Sequence, residues 1–209
     1  MKKIINIINI DFKKIDLYKL VTYIFLREEL DLVFNQKGDY EFNIDVNNNI
    51  KDYIDFIDNI RIKENILYYT AVSSCLCGFN TKYNGYNNYN SIIRYIYDKK
   101  ILIPICPEVS GKLTTPRDPS EQVNDLVLSN KGKDVTKNFI DGANIALRNI
   151  KRHNIDFAIL KEGSPSCGVT MIYDGTFSGT KITGKGVAAK LFVDNNIKII
   201  SEKIFKEEE

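Results

Sequence analysis

The sequence predicts an α/β protein built around a parallel sheet, and two observations carry that reading. From Asn65 onward, short β-rich segments alternate with stretches of helical spacing, the pattern of strands joined by crossover helices. Each β-rich segment also ends in a loop of small or polar residues, as strands do when their carboxyl ends share one edge of a sheet. A Rossmann-like layer with flanking helices is therefore expected for residues 67–209, and a small α or α+β appendage for residues 1–66.

Taken in order, the appendage reads as a strand-like IINIINI, a helical LYKLVTYIFLREELDLVF, a turn at Lys37-Gly38-Asp39 and a second amphipathic run, NIKDYIDFIDNI. It has no cysteine, histidine or proline, and so no catalytic cluster. Packing, dimerisation or partner contact is its expected use, with substrate binding the alternative. In the larger part the strand candidates are ILYYTAVSS, KILIPIC, DFAILKE and IKIISE. Between them, SIIRYIYDKK, VTKNFIDGANIALRNIKR and GVAAKLFVDNN have helical spacing. Asp134 and Thr136 are placed to cap the middle helix, and Arg148, Lys151 and Arg152 crowd its end, where the helix dipole favours positive charge.

Composition narrows the class. At 209 residues, with 44% hydrophobic and 27% charged, the chain can bury a core without disulfide staples. No apolar run approaches the roughly 18 residues of a membrane span, and the charges of MKKIINIINIDFKK interrupt any signal-peptide core, so a cytoplasmic protein is expected. The net charge of +2 carries no overall polyanion signature, although the first part is slightly acidic and the remainder modestly basic. In a reducing compartment the four cysteines are expected as metal ligands, nucleophiles or buried thiols rather than disulfides.

Three of them sit at corresponding places. Cys75 follows AVSS, Cys106 closes ILIPIC and Cys167 lies in the loop after AILKE, so a parallel sheet would bring them to one crevice. Three converging thiolates without a histidine fit an iron–sulfur cluster with one iron left open better than a structural zinc, which takes four protein ligands. A lone nucleophilic thiol and plain burial are the other readings. Cys77 would join as a fourth ligand if its segment is extended, because residues i and i+2 of a strand face the same way; otherwise it is an inert buried thiol.

The neighbours of these thiols suggest acid–base chemistry. Glu108, just beyond Cys106 and stiffened by Pro107, either acts as general acid or base, caps a helix, or pairs with Arg117. Ser164 and Ser166 either place hydroxyls around a sulfur or oxyanion, or cap their loop. Lys161 and Glu162 either charge the pocket or form ion pairs. The sole histidine, His153 in KRHN, reads as a solvated helix end, which argues against Cys-His or Ser-His machinery. The run YDGTFSGTKITGKGVAAK is no P-loop; it reads as a hairpin or lid, with phosphate cradling the alternative, and Phe177 within it either stacks on a base or belongs to the core.

The segments SSCLCGFNTKYNG, IPICPEVSGKLTTPRDPSEQV, KDVTKNFIDGA and LKEGSPSCGVTMIYDGTFSGTKITGKGVAA, in that order, resemble the thiouracil desulfidase family over residues 67–202. The resemblance implies a [4Fe-4S] cluster held by Cys75, Cys106 and Cys167 with one open iron, Glu108 as the acid–base residue and Ser164 as the catalytic serine. It implies desulfuration without net redox change: the open iron takes the substrate's thiocarbonyl sulfur, water attacks the ring carbon, and hydrosulfide leaves. This chain departs from the family at Cys77, usually leucine, and at Lys82 and Asn84, usually arginine and aspartate. The expected substrate is a small thiolated pyrimidine such as thiouracil, with thiouridine in tRNA the alternative. A cluster-based sulfur or redox sensor and a metal-free thiol hydrolase are the competing classes; oligomeric state is not legible.

Overall fold

The computed structural model describes residues 70–98 and 102–205 with their side chains, together with the backbone of three strands at residues 4–6, 31–36 and 40–43. The chain divides into two compact units, Met1–Tyr68 and Tyr69–Glu209.

In the first unit, β1 (Ile4–Asn6), β2 (Asp31–Gln36) and β3 (Tyr40–Asn43) form a sheet in the order β1-β2-β3. β1 runs parallel to β2 and β3 antiparallel to it, with Phe34 opposite Phe42. The helical reading of residues 17–34 therefore fails at its end, where Asp31–Gln36 is a strand. Leu32, Val33 and Phe34 form a short apolar run that suits either period, and pairing across to β3 decides for the strand. The rest of that run, the Lys37-Gly38-Asp39 turn and NIKDYIDFIDNI lie outside the described residues.

The second unit is the expected α/β layer. β4 (Thr70–Ser73), β5 (Leu102–Ile105), β8 (Phe157–Leu160) and β11 (Lys198–Ser201) make a four-stranded sheet in the order β11-β8-β4-β5, every neighbouring pair parallel. β4 and β8 are buried along their whole length, as central strands covered on both faces must be. Two hairpins lie outside this sheet: β6 (Ser120–Val123) with β7 (Leu126–Ser129), and β9 (Met171–Tyr173) with β10 (Lys181–Thr183).

Among the described residues, four helices complete the unit: α1 (Ser91–Asp98), α2 (Pro107–Ser110), α3 (Thr136–Arg152) and α4 (Val187–Asp194). α3 buries Phe139, Gly142, Ala143, Ala146, Leu147 and Ile150, the i, i+3, i+4, i+7 stripe of an amphipathic helix. The last four of its apolar side chains pack with Ala71 of β4, Ala158 and Leu160 of β8, and Ala188, Ala189 and Phe192 of α4 in one core. At its start, Asp134 Oδ1 accepts the Thr136 N–H at 2.9 Å, whereas the Thr136 hydroxyl accepts from Val127 N–H at 2.8 Å and ties β7 to the helix. Val135 is the N-cap itself, so Asp134 serves the first N–H of the helix from one position before it and Thr136 does not cap.

Two glycines set distances that matter for the site. A Cβ on Gly142 of α3 would lie 1.8 Å from the carbonyl oxygen of Pro107, so this glycine lets α2 press against α3. A Cβ on Gly186, the N-cap of α4, would lie 2.3 Å from the carbonyl of Ser166, so the loop carrying Cys167 rests directly on the start of that helix.

Candidate active site

Because β8, β4 and β5 are adjacent and parallel, their carboxyl ends open on one side of the sheet. Cys75 lies in a 3-10 turn, Ser74–Cys77, immediately after β4; Cys106 is the N-cap of α2, immediately after β5; Cys167 lies in the loop that follows β8. All three line a single cleft of about 530 Å³. The fold thus brings together three side chains that are separated by up to 92 positions in the chain, Cys75 to Cys167.

Each thiol is shaped by burial. Desolvation pushes Cys75 up to about 11, partly offset by Asn88 Nδ2, which donates to its sulfur at 3.3 Å. Cys106 is raised by burial and pulled back by the Val109 N–H. Cys167 is raised by burial, lowered by a hydrogen bond from the Ser73 hydroxyl, and raised again by the neighbouring Cys106 and Cys75. The protein alone therefore favours three neutral thiols near pH 7, and a bound cationic centre would invert that preference. Among the described residues, no three of His, Cys, Asp and Glu are grouped to hold a single metal ion.

Cys77 is turned away from this cleft. The segment is a 3-10 turn rather than extended, with three residues per turn, so residue i+2 points about a third of a turn from residue i. Cys77 is fully buried, its thiol is pushed up to about 12 by that burial, and its carbonyl accepts from Arg94 Nη1 at 3.1 Å.

Glu108 and Ser164 also line the cleft and face each other, with Ser164 Oγ 3.4 Å from Glu108 Oε1. The other oxygen, Oε2, accepts from Arg117 Nε at 2.9 Å and Nη2 at 2.7 Å. Arg117 is itself fixed by the carbonyls of Thr81 and Thr114 and the Thr115 hydroxyl. The ion-pair reading of Glu108 is thus met at Oε2, while Oε1 is turned to Ser164 within the cleft. Ser164 likewise combines two parts: its Oγ accepts the N–H groups of Ser166 at 3.1 Å and Cys167 at 3.0 Å, closing the loop, while its proton is left for Glu108. Ser166 does not line the cleft; its hydroxyl is buried with no hydrogen-bond partner.

Both members of the charged pair after β8 line the cleft, but their partners differ. Lys161 lines the cleft and pairs with Glu202 at 2.6 Å. Glu162, only 5% exposed, turns into the following loop, where its Oε1 accepts from the N–H groups of Val169, Thr170 and Met171 at 3.1, 3.0 and 2.8 Å. Burial alone would raise its carboxyl, but these backbone donors and the Ser201 hydroxyl outweigh it and hold it below the ordinary value. Glu162 is thus the strut of the Cys167 loop. Neither this nor the Asn88 contact had a local sequence signal, since both depend on partners folded back from elsewhere. His153 ends α3 with Nδ1 2.8 Å from the Asn149 carbonyl, and is exposed, as expected of a helix terminus. The glycine-rich run forms the β9–β10 hairpin, in line with the hairpin reading.

Fold and site together define an α/β protein with a three-thiol cleft at the carboxyl edge of a parallel sheet and an acidic residue and a serine beside it. A family model described as 2-thiouracil desulfurase matches residues 70–204, and the chain belongs to that family. The uncharacterized protein YbbK of Bacillus subtilis (strain 168) is 41% identical over 141 residues, which cover 63% of this chain and 93% of YbbK. The solved structure of the [4Fe-4S]-dependent thiouracil desulfidase TudS superposes with a TM-score of 0.62 at 37% identity, covering 65% of this chain and 91% of that one.

Proposed function

We propose that residues 67–209 form an iron–sulfur-dependent desulfidase that converts a thiolated pyrimidine, thiouracil in the first instance, to the oxo base with release of hydrosulfide. The observation that carries this reading is the joint lining of one cleft by Cys75, Cys106, Cys167, Glu108 and Ser164. Family membership and the [4Fe-4S]-dependent structural neighbour support it.

The donor set fits the cofactor. Three soft sulfur donors line one cleft with no histidine among its lining residues, a donor set that suits an iron–sulfur cluster held by Cys75, Cys106 and Cys167. When bound, such a cluster supplies a soft Lewis acid for the sulfur of a thiocarbonyl. The chain's own residues do the rest. Glu108 Oε1, the oxygen not committed to Arg117, takes a proton from the water that attacks the ring carbon and returns it toward the departing sulfur. Ser164, hydrogen-bonded to that same oxygen and fixed by two backbone N–H groups, orients the water or carries the proton between. Overall C=S and water become C=O and hydrogen sulfide, with no electron gained or lost.

A cleft of about 530 Å³ lies within the roughly 300–1,000 Å³ of small-molecule sites and has room for a pyrimidine ring. A site built on three thiolates suits a reducing, cytoplasmic setting. The test is anaerobic reconstitution with iron and sulfide, followed by assay of hydrosulfide and uracil from 2- and 4-thiouracil, with Cys106→Ala as control. Cluster-dependent release supports the assignment. A stable cluster that turns over only thiolated tRNA moves the substrate to RNA; one that turns over neither favours a sensor, and failure to form any cluster removes the proposal.

A further inference from the structure

Two residues of the cleft wall have no part in the chemistry above. Phe177, at the tip of the β9–β10 hairpin, lines the cleft while 38% exposed, and its backbone is held at φ +57°. A bulky side chain in the left-handed region is strained, and such strain persists only where the surroundings impose it. The imposing group is Glu121 of β6, 8% exposed, whose Oε2 accepts both the Gly175 N–H at 2.9 Å and the Phe177 N–H at 3.0 Å. A Cβ on Gly175 would lie 2.6 Å from the Gln122 carbonyl, so the hairpin tip is also seated directly against β6. An apolar ring that lines the cleft, 38% exposed, is thereby held there on a strained backbone.

We propose that Phe177 is the aromatic wall on which the flat ring of the substrate stacks, and that Glu121 is the positioning residue that presents it. The inference rests on the desulfidase reading and adds a substrate contact to it. Stacking gives affinity for a planar heterocycle and holds its thiocarbonyl edge toward the thiol side of the cleft, leaving the acid–base step to Glu108 and Ser164. Stripped of its ring, the site loses binding shared by ground and transition states, so the effect falls mainly on KM.

The experiment uses the reconstituted full chain and thiouracil. Phe177→Gly is expected to raise KM about tenfold, with a smaller change in kcat, because base–aromatic stacking is worth about 1–3 kcal/mol. Its melting temperature is expected to equal or exceed the wild type's, since glycine relieves the left-handed strain. Phe177→Tyr retains the wild-type KM and Phe177→Leu does not. Glu121→Gln raises KM in the same direction, and combined with Phe177→Gly adds little more, as expected of two residues acting through one contact. An active wild type whose KM is unmoved in Phe177→Gly, or a Phe177→Leu as good as Phe177→Tyr, overturns this inference alone. A wild type inactive on thiouracil overturns the functional reading and this inference with it.

Discussion

Arg117 grips Glu108 by one carboxylate oxygen, with Nε at 2.9 Å and Nη2 at 2.7 Å from Oε2, and leaves Oε1 facing the Ser164 hydroxyl at 3.4 Å. The pair is largely shielded from water, with side chains 8% and 15% exposed. The arrangement fixes the carboxylate through one oxygen and leaves the other free of Arg117.

Removing that grip should cost both stability and turnover. Arg117→Gln leaves a shielded carboxylate without its cation and is expected to destabilise the domain by about 3 kcal/mol, read from urea unfolding. Turnover of hydrosulfide should fall even under conditions where the variant is fully folded, because Oε1 is no longer aimed. An Arg117→Gln protein with wild-type kcat would show that the ion pair is only structural.

Glu108→Gln tests the acid–base assignment itself. Gln keeps the shape and the acceptor for Arg117 but cannot exchange a proton, so kcat should drop by about 10²–10⁴-fold while iron and sulfide content stay at the wild-type level. Ser164→Ala is expected to lower kcat and also to cost about 1 kcal/mol, since the N–H groups of Ser166 and Cys167 lose their acceptor.

The four cysteines should separate cleanly three to one. Alanine at Cys75, Cys106 or Cys167 is expected to abolish cluster retention and hydrosulfide release, whereas Cys77→Ala, which alters a buried side chain off the cleft, should leave iron content and its absorption spectrum unchanged. Stripping iron from the wild type with a chelator should end activity, and reconstitution should restore it. A changed spectrum in Cys77→Ala would restore Cys77 as a ligand.

Glu162 should impose an acid limit on stability. Its folded carboxyl lies below the ordinary value of 4.5, so it contributes stability that is present above about pH 4.5 and is lost as pH falls through the lower folded-state value. Thermal melts of the wild type should therefore decline over that acidic window. Glu162→Gln, which cannot lose that contribution again, should start lower at neutral pH and show a flatter decline.

The sequence by itself determined the parallel α/β layer of residues 67–209 and the set of thiols it would gather. Both are consequences of local rules: alternating strand and helix periods dictate a parallel sheet, and a parallel sheet puts every strand's carboxyl end on one edge, so Cys75, Cys106 and Cys167 had to meet. What only the tertiary structure decided were the relationships between distant segments or between neighbours whose local conformation was ambiguous. The strand at Asp31–Gln36 was settled by pairing with β3, and the burial of Cys77 off the cleft lining by a tight 3-10 turn where an extended segment was the alternative. The division of labour between the two oxygens of Glu108, the strut formed by Glu162 and the presentation of Phe177 by Glu121 depend on carboxylates accepting from donors between 7 and 56 positions away. A carboxylate bonds whichever donor the fold delivers, and no periodicity in the chain records which one that will be.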